Sequence, residues 1–269
     1  MELCKATDYF NITNVIGAGK TGMVYKAKLA NGSQVAVKRL YDSKLFETKF
    51  ALEIMILRRF RHRNLVGLVG FCTERKQRIL VYELMPNGKL SDWLHPLQNE
   101  ASPLEWPIRL KIALGLARAL SGLHHSCNWQ ILHLGISSDH VLLDQNFEPK
   151  LWNFGSAKFI KGNHKNLEKK DVYDFGIVLL ELITGKKCIQ MSGFSNVIDG
   201  SLLGKGFDEQ ISCLVKVAID CIQVSPHHRP SMLDVYKNIQ RLWEGYETDD
   251  SFGAMQRVDM KTRKCIASI

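Results

Sequence analysis

The chain changes its apolar rhythm once, at Pro86-Asn87-Gly88, and that change limits it to a fold with a strand-rich front and a helix-rich rear. From about residue 9 to 84, short β-branched runs alternate with turn signals, which predicts strands over 14–16, 23–29, 34–40, 65–72 and 79–84. Asn31-Gly32, between the second and third, suits a tight hairpin turn because both residues tolerate positive φ. One helix interrupts the strands: Phe46, Phe50, Ile54 and Leu57 recur at helical spacing, with Glu53 on the same side. Beyond Gly88, Leu110, Ala113, Leu114, Ala117, Leu120 and Leu123 form a long amphipathic face, and 172–183 is apolar all round, as a buried central helix is. The pattern predicts an α+β chain of two lobes. The expected divisions are an N-terminal extension 1–8, an N-lobe 9–84 with a five-stranded antiparallel sheet and one helix, a hinge 83–87, a mainly helical C-lobe 88–245 and a basic, flexible tail 246–269.

With 45% hydrophobic and 23% charged residues, the composition is that of an ordinary globular protein. The net charge of +9 is spread along the chain, densest at Arg58-Arg59-Phe60-Arg61-His62-Arg63 and in Arg257, Lys261, Arg263 and Lys264. Its plain reading is a solvated basic face. The other reading is peripheral contact with the inner plasma membrane, where each basic tail residue would contribute about 1 kcal/mol. Nucleic acid is not expected as a partner, because no recognition motif accompanies the charge. Seven scattered cysteines, never spaced as CxxC, point to free thiols in a reducing compartment. No apolar run is long enough to span a bilayer, and the N-terminus lacks the apolar stretch of a signal peptide, so a cytoplasmic location is expected.

A glycine pattern, Gly17-Ala18-Gly19-Lys20-Thr21-Gly22, falls between the first two expected strands. Alone, such glycines mark ordinary turns as readily as phosphate loops. A dinucleotide fingerprint requires a helix after the glycines, and a Walker A loop requires glycine where this chain has Asn14. Neither fits. A hairpin glycine loop over phosphates needs a downstream cation and an anchor for it; Lys38, in Val35-Ala36-Val37-Lys38, and Glu53 supply such a pair. Taken separately, Lys38 reads as a solvated strand lysine and Glu53 as a surface carboxylate. Their order after a glycine hairpin favours the pair.

On these residues the chain resembles protein kinases over about residues 8 to 245. His62-Arg63-Asn64-Leu65-Val66-Gly67-Leu68-Val69-Gly70-Phe71-Cys72 and Leu80-Val81-Tyr82-Glu83-Leu84-Met85-Pro86-Asn87-Gly88 look like plant receptor-like kinases. The run Leu203-Gly204-Lys205-Gly206-Phe207-Asp208-Glu209-Gln210-Ile211 resembles the inactive leucine-rich-repeat receptors that sequester co-receptor kinases. The resemblance implies a bilobal protein-kinase-like fold with a nucleotide cleft. Its parts would be Ile16, Gly17, Gly19 and Gly22 in the glycine loop, Val24, Ala36 and Leu142 around adenine, Tyr82 as gatekeeper, Glu83 to Met85 as hinge, and Lys38 with Glu53 toward the phosphates. A structural spine of Leu57, His133, Phe154 and Asp171 is implied as well.

The catalytic segments depart from the family. Where the plant pattern reads His-Arg-Asp-Ile-Lys-Ser-Ser-Asn, this chain reads His133-Leu134-Gly135-Ile136-Ser137-Ser138-Asp139-His140, and Asp-Phe-Gly becomes Asn153-Phe154-Gly155. Gly135 stands where the family has the base that orients the substrate hydroxyl, a role worth about 10²–10⁴-fold. Ser137 replaces the lysine that steadies the γ-phosphate, and His140 and Asn153 replace metal-holding residues. Magnesium favours hard anionic oxygens, which an imidazole and an amide do not supply. Asp139 and Asp144 are the candidate substitutes for the base. Asp171 follows Asn153 after 18 positions, whereas the family interval is about twice as long, and no Ala-Pro-Glu segment is present. Arg229, which would pair with that glutamate, is left to find another partner or solvent.

The implied function is that of a catalytically inactive pseudokinase with no catalytic and no metal residues, binding ATP if at all without well-formed magnesium sites. Its implied partner is an active receptor-like kinase or co-receptor kinase domain, at the cytoplasmic face of the plasma membrane. Two alternatives stay open: a weak atypical Ser/Thr kinase that relies on Lys38 and the glycine loop, and a decayed or mis-spliced receptor-like kinase copy.

Overall fold

The computed structural model describes residues 2–74, 76–96, 104–125, 129–160, 166–187 and 198–248. In the first lobe, β1 (Val15–Gly19), β2 (Gly22–Lys28), β3 (Gln34–Leu40), β4 (Leu68–Glu74) and β5 (Gln77–Glu83) form one antiparallel sheet in the order β1-β2-β3-β5-β4. Strand β3 is central and buried on both faces, so its two-residue period sorts side chains between two cores. Val35 and Val37 join Ala27, Ile79 and Val81 on the outer face. Ala36 and Leu40 join the main core on the inner one. A short helix, α1 (Glu2–Ala6), covers the outer face with Leu3 and Ala6, and Phe10 packs edge-on against Tyr25 at 5.3 Å.

Helix α2 (Lys44–Arg59) crosses the inner side of the sheet. Its buried stripe is Phe50, Glu53, Ile56 and Leu57, in steps of three and four; Ile54, expected in the stripe, lies at its edge. The second lobe contains α3 (Leu90–Leu94), α4 (Trp106–His124), α5 (Lys169–Thr184), α6 (Asp208–Cys221) and α7 (Met232–Thr248). Between α4 and α5 lie two ribbons of three-residue strands: β6 (Gln130–Leu132) with β9 (Lys158–Ile160), and β7 (Val141–Leu143) with β8 (Pro149–Leu151). Strands this short carry no alternation, and the sequence reading missed them.

Several expected boundaries move. The first strand starts at Val15 rather than 14, because Asn11 caps a one-turn helix over Ile12–Asn14. The strand expected over 65–72 runs Leu68–Glu74 instead. Residues 64–66 are held by the second lobe: Leu151 N–H donates to the Asn64 carbonyl at 2.9 Å, and Val66 N–H donates to the Leu151 carbonyl at 3.0 Å. The connection between β2 and β3 is a tight turn, centred one residue earlier than Asn31-Gly32: Gly32 N–H donates to the Leu29 carbonyl at 2.9 Å, and Leu29 N–H donates to the Ser33 carbonyl at 2.9 Å. Gly32 alone takes positive φ (85°), while Asn31 Oδ1 accepts from Ser33 N–H at 3.0 Å. Helix α7 continues to Thr248 with Tyr246 buried, so residues 246–248 are helical rather than tail. The basic tail residues and Cys127, Cys188 and Cys265 lie outside the described residues.

Helix α5 is buried at most positions from Asp171 to Thr184 and meets α6 without room for a side chain at Gly176. A Cβ there would lie 2.7 Å from both Cys221 Cβ and Ile222 Cγ2. Alanine inside a helix ordinarily stabilises it by about 1 kcal/mol relative to glycine. We expect the reverse for Gly176→Ala: a loss of about 2 kcal/mol from overpacking, read as a lower urea midpoint with an unchanged slope.

Candidate functional site

The cleft between the lobes has two compartments. The first, about 370 Å³, is lined by Ile16, Gly17, Val24, Ala36, Tyr82, Glu83, Met85, Leu142 and Trp152, with Lys89 and Asp92 at its rim. The second, about 500 Å³, lies under the β1–β2 turn and is lined by 17–22 together with Val24, Lys38, Lys49, Lys89, Asp139, His140, Trp152, Asn153 and Ser156. The predicted adenine and glycine-loop residues thus line one continuous depression. The glycines there differ in kind. A side chain at Gly22 would collide with the Arg39 carbonyl of β3, whereas one at Gly19 would meet open space.

Lys38 is the hub of the cleft floor. Its ammonium is buried and donates to Glu53 Oε2 at 3.1 Å and to Asn153 Oδ1 at 3.0 Å. The second Glu53 oxygen accepts from the Tyr82 hydroxyl at 2.7 Å. Burial, then the Glu53 charge and hydrogen bond, push the Tyr82 phenol well above its ordinary value, which keeps it a donor. From Asn153 the chain continues: its amide nitrogen lies 2.9 Å from His140 Nε2, and His140 Nδ1 lies 2.5 Å from the Gly135 carbonyl. One tautomer satisfies both contacts, with Nδ1–H donating to Gly135 and Nε2 accepting from Asn153. Asn153 sits at φ 68°, ψ 58°, a left-handed conformation that asparagine tolerates better than most residues.

Below this network, His133 and Phe154 pack edge-on at 4.8 Å, and both are fully buried in one core with Leu57. Asp171, at the start of α5, accepts the backbone N–H of His133 and of Leu134, each at 2.7 Å, and lies 3.0 Å from His124 Nε2. Those two bonds brace Leu134, which has a positive φ of 57°. Burial lowers His133 below the ordinary imidazole value, outweighing the opposing Asp171 charge and the hydrogen bond to the Trp152 carbonyl. Burial alone would raise the Asp171 carboxyl, but the His124 hydrogen bond and charge, followed by His133, hold it below the ordinary range.

Arg229 finds protein partners rather than a carboxylate. It donates to the carbonyls of Gln223, Lys169 and Val224 and lies 4.8 Å from the Tyr173 ring centroid. Asp144 is occupied as well: its Oδ1 accepts from Asn146 N–H and Glu148 N–H, capping a turn. Asp139 is exposed and lines the second compartment. Among the described residues, no cluster of His, Cys, Asp or Glu can hold a metal ion. The donors offered at the two family metal positions, His140 Nε2 and Asn153 Oδ1, are already spent on Asn153 and Lys38, and they do not fit magnesium.

The protein kinase domain model matches residues 10–239. The chain belongs to the protein kinase family. It is 38% identical, over 91% of this chain and 48% of that protein, to an Arabidopsis thaliana protein named "Probably inactive leucine-rich repeat receptor-like protein kinase". It is 35% identical, over 93% of the chain and 49% of that protein, to the A. thaliana inactive LRR receptor-like serine/threonine-protein kinase BIR2. Against the LRR receptor kinase SERK2 of Oryza sativa subsp. japonica it is 33% identical over 98% of the chain and 50% of that protein. The kinase domain therefore has relatives named inactive alongside others not so named, and it spans about half the length of these proteins. No helix among the described residues is long and apolar enough to cross a membrane.

The sequence reading of this kinase domain missed Trp152. It lines both compartments, lies 5.3 Å under the Lys38 ammonium, and meets the Tyr82 ring edge-on at 6.5 Å. Its position directly before Asn153 was the available signal.

Two measurements probe this site. Asn153→Ala removes a partner from both Lys38 and His140, and we expect it to cost about 2 kcal/mol in urea unfolding. Stability should also fall with acid. The unfolded chain protonates His133 near 6.5 while the folded chain resists, so the unfolded state binds more protons and unfolding becomes easier below that value. His62 and His125, also lowered, act in the same direction. Asp171 adds a further loss below its unfolded value of 3.8. Urea midpoints should decline between about pH 8 and pH 6; at lower pH Asp174, whose carboxyl burial raises, acts in the opposite direction.

Proposed function

We propose that this kinase domain is a pseudokinase that engages an active receptor-like kinase or co-receptor kinase domain and scaffolds or restrains its signalling at the cytoplasmic face of the plasma membrane. One observation carries the inactive part: in the chain that runs from the Lys38 ammonium, an amide, an imidazole and a backbone carbonyl (Asn153, His140 and Gly135) stand at the positions where phosphoryl transfer needs a base and metal-holding groups. The names of the inactive relatives support it. The partner class rests on similarity to receptor kinases that include SERK2. The open adenine-side compartment supports retained ATP binding as part of this reading.

Asp139 favours a second reading, a weak atypical Ser/Thr kinase, because it is a carboxylate facing the phosphate-side compartment. Labelled-phosphate transfer from MgATP to a generic protein substrate separates the two. Incorporation at background fits the pseudokinase. Robust incorporation abolished by Lys38→Met and by Asp139→Asn establishes the kinase instead. Co-precipitation with active leucine-rich-repeat receptor kinase domains tests the scaffold role, and failure to capture any of them favours a decayed copy.

A further inference from the structure

The phosphate-side compartment carries charge that the hydrogen-bond chain does not use. Lys20, Lys49 and Lys89 line it beside Lys38, and among the described residues Asp139 is its one lining carboxylate. Lys38 is already neutralised by Glu53. Among the described residues, none of the other three lysines forms an ion pair. Three different elements hold them. Lys20 is at the tip of the β1–β2 turn, where Gly19 pairs with Gly22. The stem of Lys49, on α2, packs over Gly155, its Cβ 3.3 Å from where a Cβ of that glycine would lie, and its ammonium lies 5.7 Å from the Phe46 ring centroid. Lys89, bridged through its backbone to Leu142, lines both compartments and so stands where they join.

We propose that Lys20, Lys49 and Lys89 form a phosphate-binding site for a nucleoside triphosphate free of divalent metal. A triphosphate enters a protein with its charge compensated, and in this family magnesium supplies much of that compensation. Here the metal donors are spent, and lysine ammonium groups stand around the same space. Open space beside Gly19 leaves room for an anion under the turn, and the compartment beyond Lys89 takes the base. Because magnesium withdraws charge from the triphosphate, the site favours the metal-free anion over its magnesium complex. This rests on the ATP-binding reading above and adds the ligand's ionic form and the residues that select it.

The test is calorimetric titration of the full chain with ATP, adenosine and inorganic triphosphate, in EDTA and in excess magnesium, for the parent, Lys49→Gln and Lys89→Gln. The expected result is ATP binding in EDTA about tenfold tighter than adenosine, weakened by magnesium and by salt. Lys49→Gln should weaken ATP about fivefold while leaving adenosine unchanged, which also shows that the variant is folded; Lys89→Gln, at a residue that lines the adenine-side compartment too, should weaken ATP several-fold more than it weakens adenosine. Inorganic triphosphate alone should bind weakly and lose the same factor. ATP binding that requires magnesium, or that equals adenosine binding in every variant, overturns the lysine site and leaves the adenine pocket standing. If neither ATP nor adenosine binds, both this site and the ATP-binding reading fall, and the scaffold role keeps its own assay.

Discussion

One buried ammonium group organises the first lobe and its junction with the second. Lys38 on β3 has almost no access to water, and a charge removed from water must be compensated by charge and hydrogen bonds or it unfolds its surroundings. Its compensation comes from α2 through Glu53 and from the turn before Phe154 through Asn153. Strand, helix and turn are therefore set relative to one another by a single cation. Tyr82 extends the arrangement to β5, and Phe154 extends it to His133 and so to Asp171 at the head of α5.

In an active kinase the equivalent positions of Asn153 and His140 would be occupied by metal-binding groups, and part of the cleft's order would come from a bound ligand. Here those two residues bond to each other and to Lys38, and His140 passes the chain on to the Gly135 backbone. Ordering of the cleft floor is thereby internal. These groups are matched in donors and acceptors, with one histidine tautomer satisfying every link. Glycine at 135 contributes through its carbonyl, which any residue would have.

The architecture was legible where pattern reflects burial on a scale longer than a few residues. Strand β3 announced itself as a β-branched run between turn signals, α5 through apolar residues on every side, and the Lys38–Glu53 pair through its order after the glycine hairpin. What stayed hidden was whatever depends on side chains meeting from distant elements. Lys38 and Asn153 are 115 positions apart, and they meet at a turn whose Asn153 backbone is left-handed. Nothing in the sequence links Lys20, Lys49 and Lys89, and only the folded chain brings them to one cavity. Leu65 and Val66 looked like the start of a strand because both are apolar, yet the backbone of 64–66 is claimed by Leu151 of the other lobe. Arg229, deprived of its family partner, turns to carbonyl oxygens that no side-chain pattern reveals.

Gly22 bears on how such chains are recognised. A glycine there is demanded by the carbonyl of a neighbouring strand, whatever the cleft holds. It would persist through generations in which nucleotide had ceased to matter, much as a hinge pin outlasts the lock on a door. Part of the family's most recognisable signature is thus testimony about how two strands lie together, and a match running from residue 10 to 239 can be nearly complete in shape while silent on chemistry.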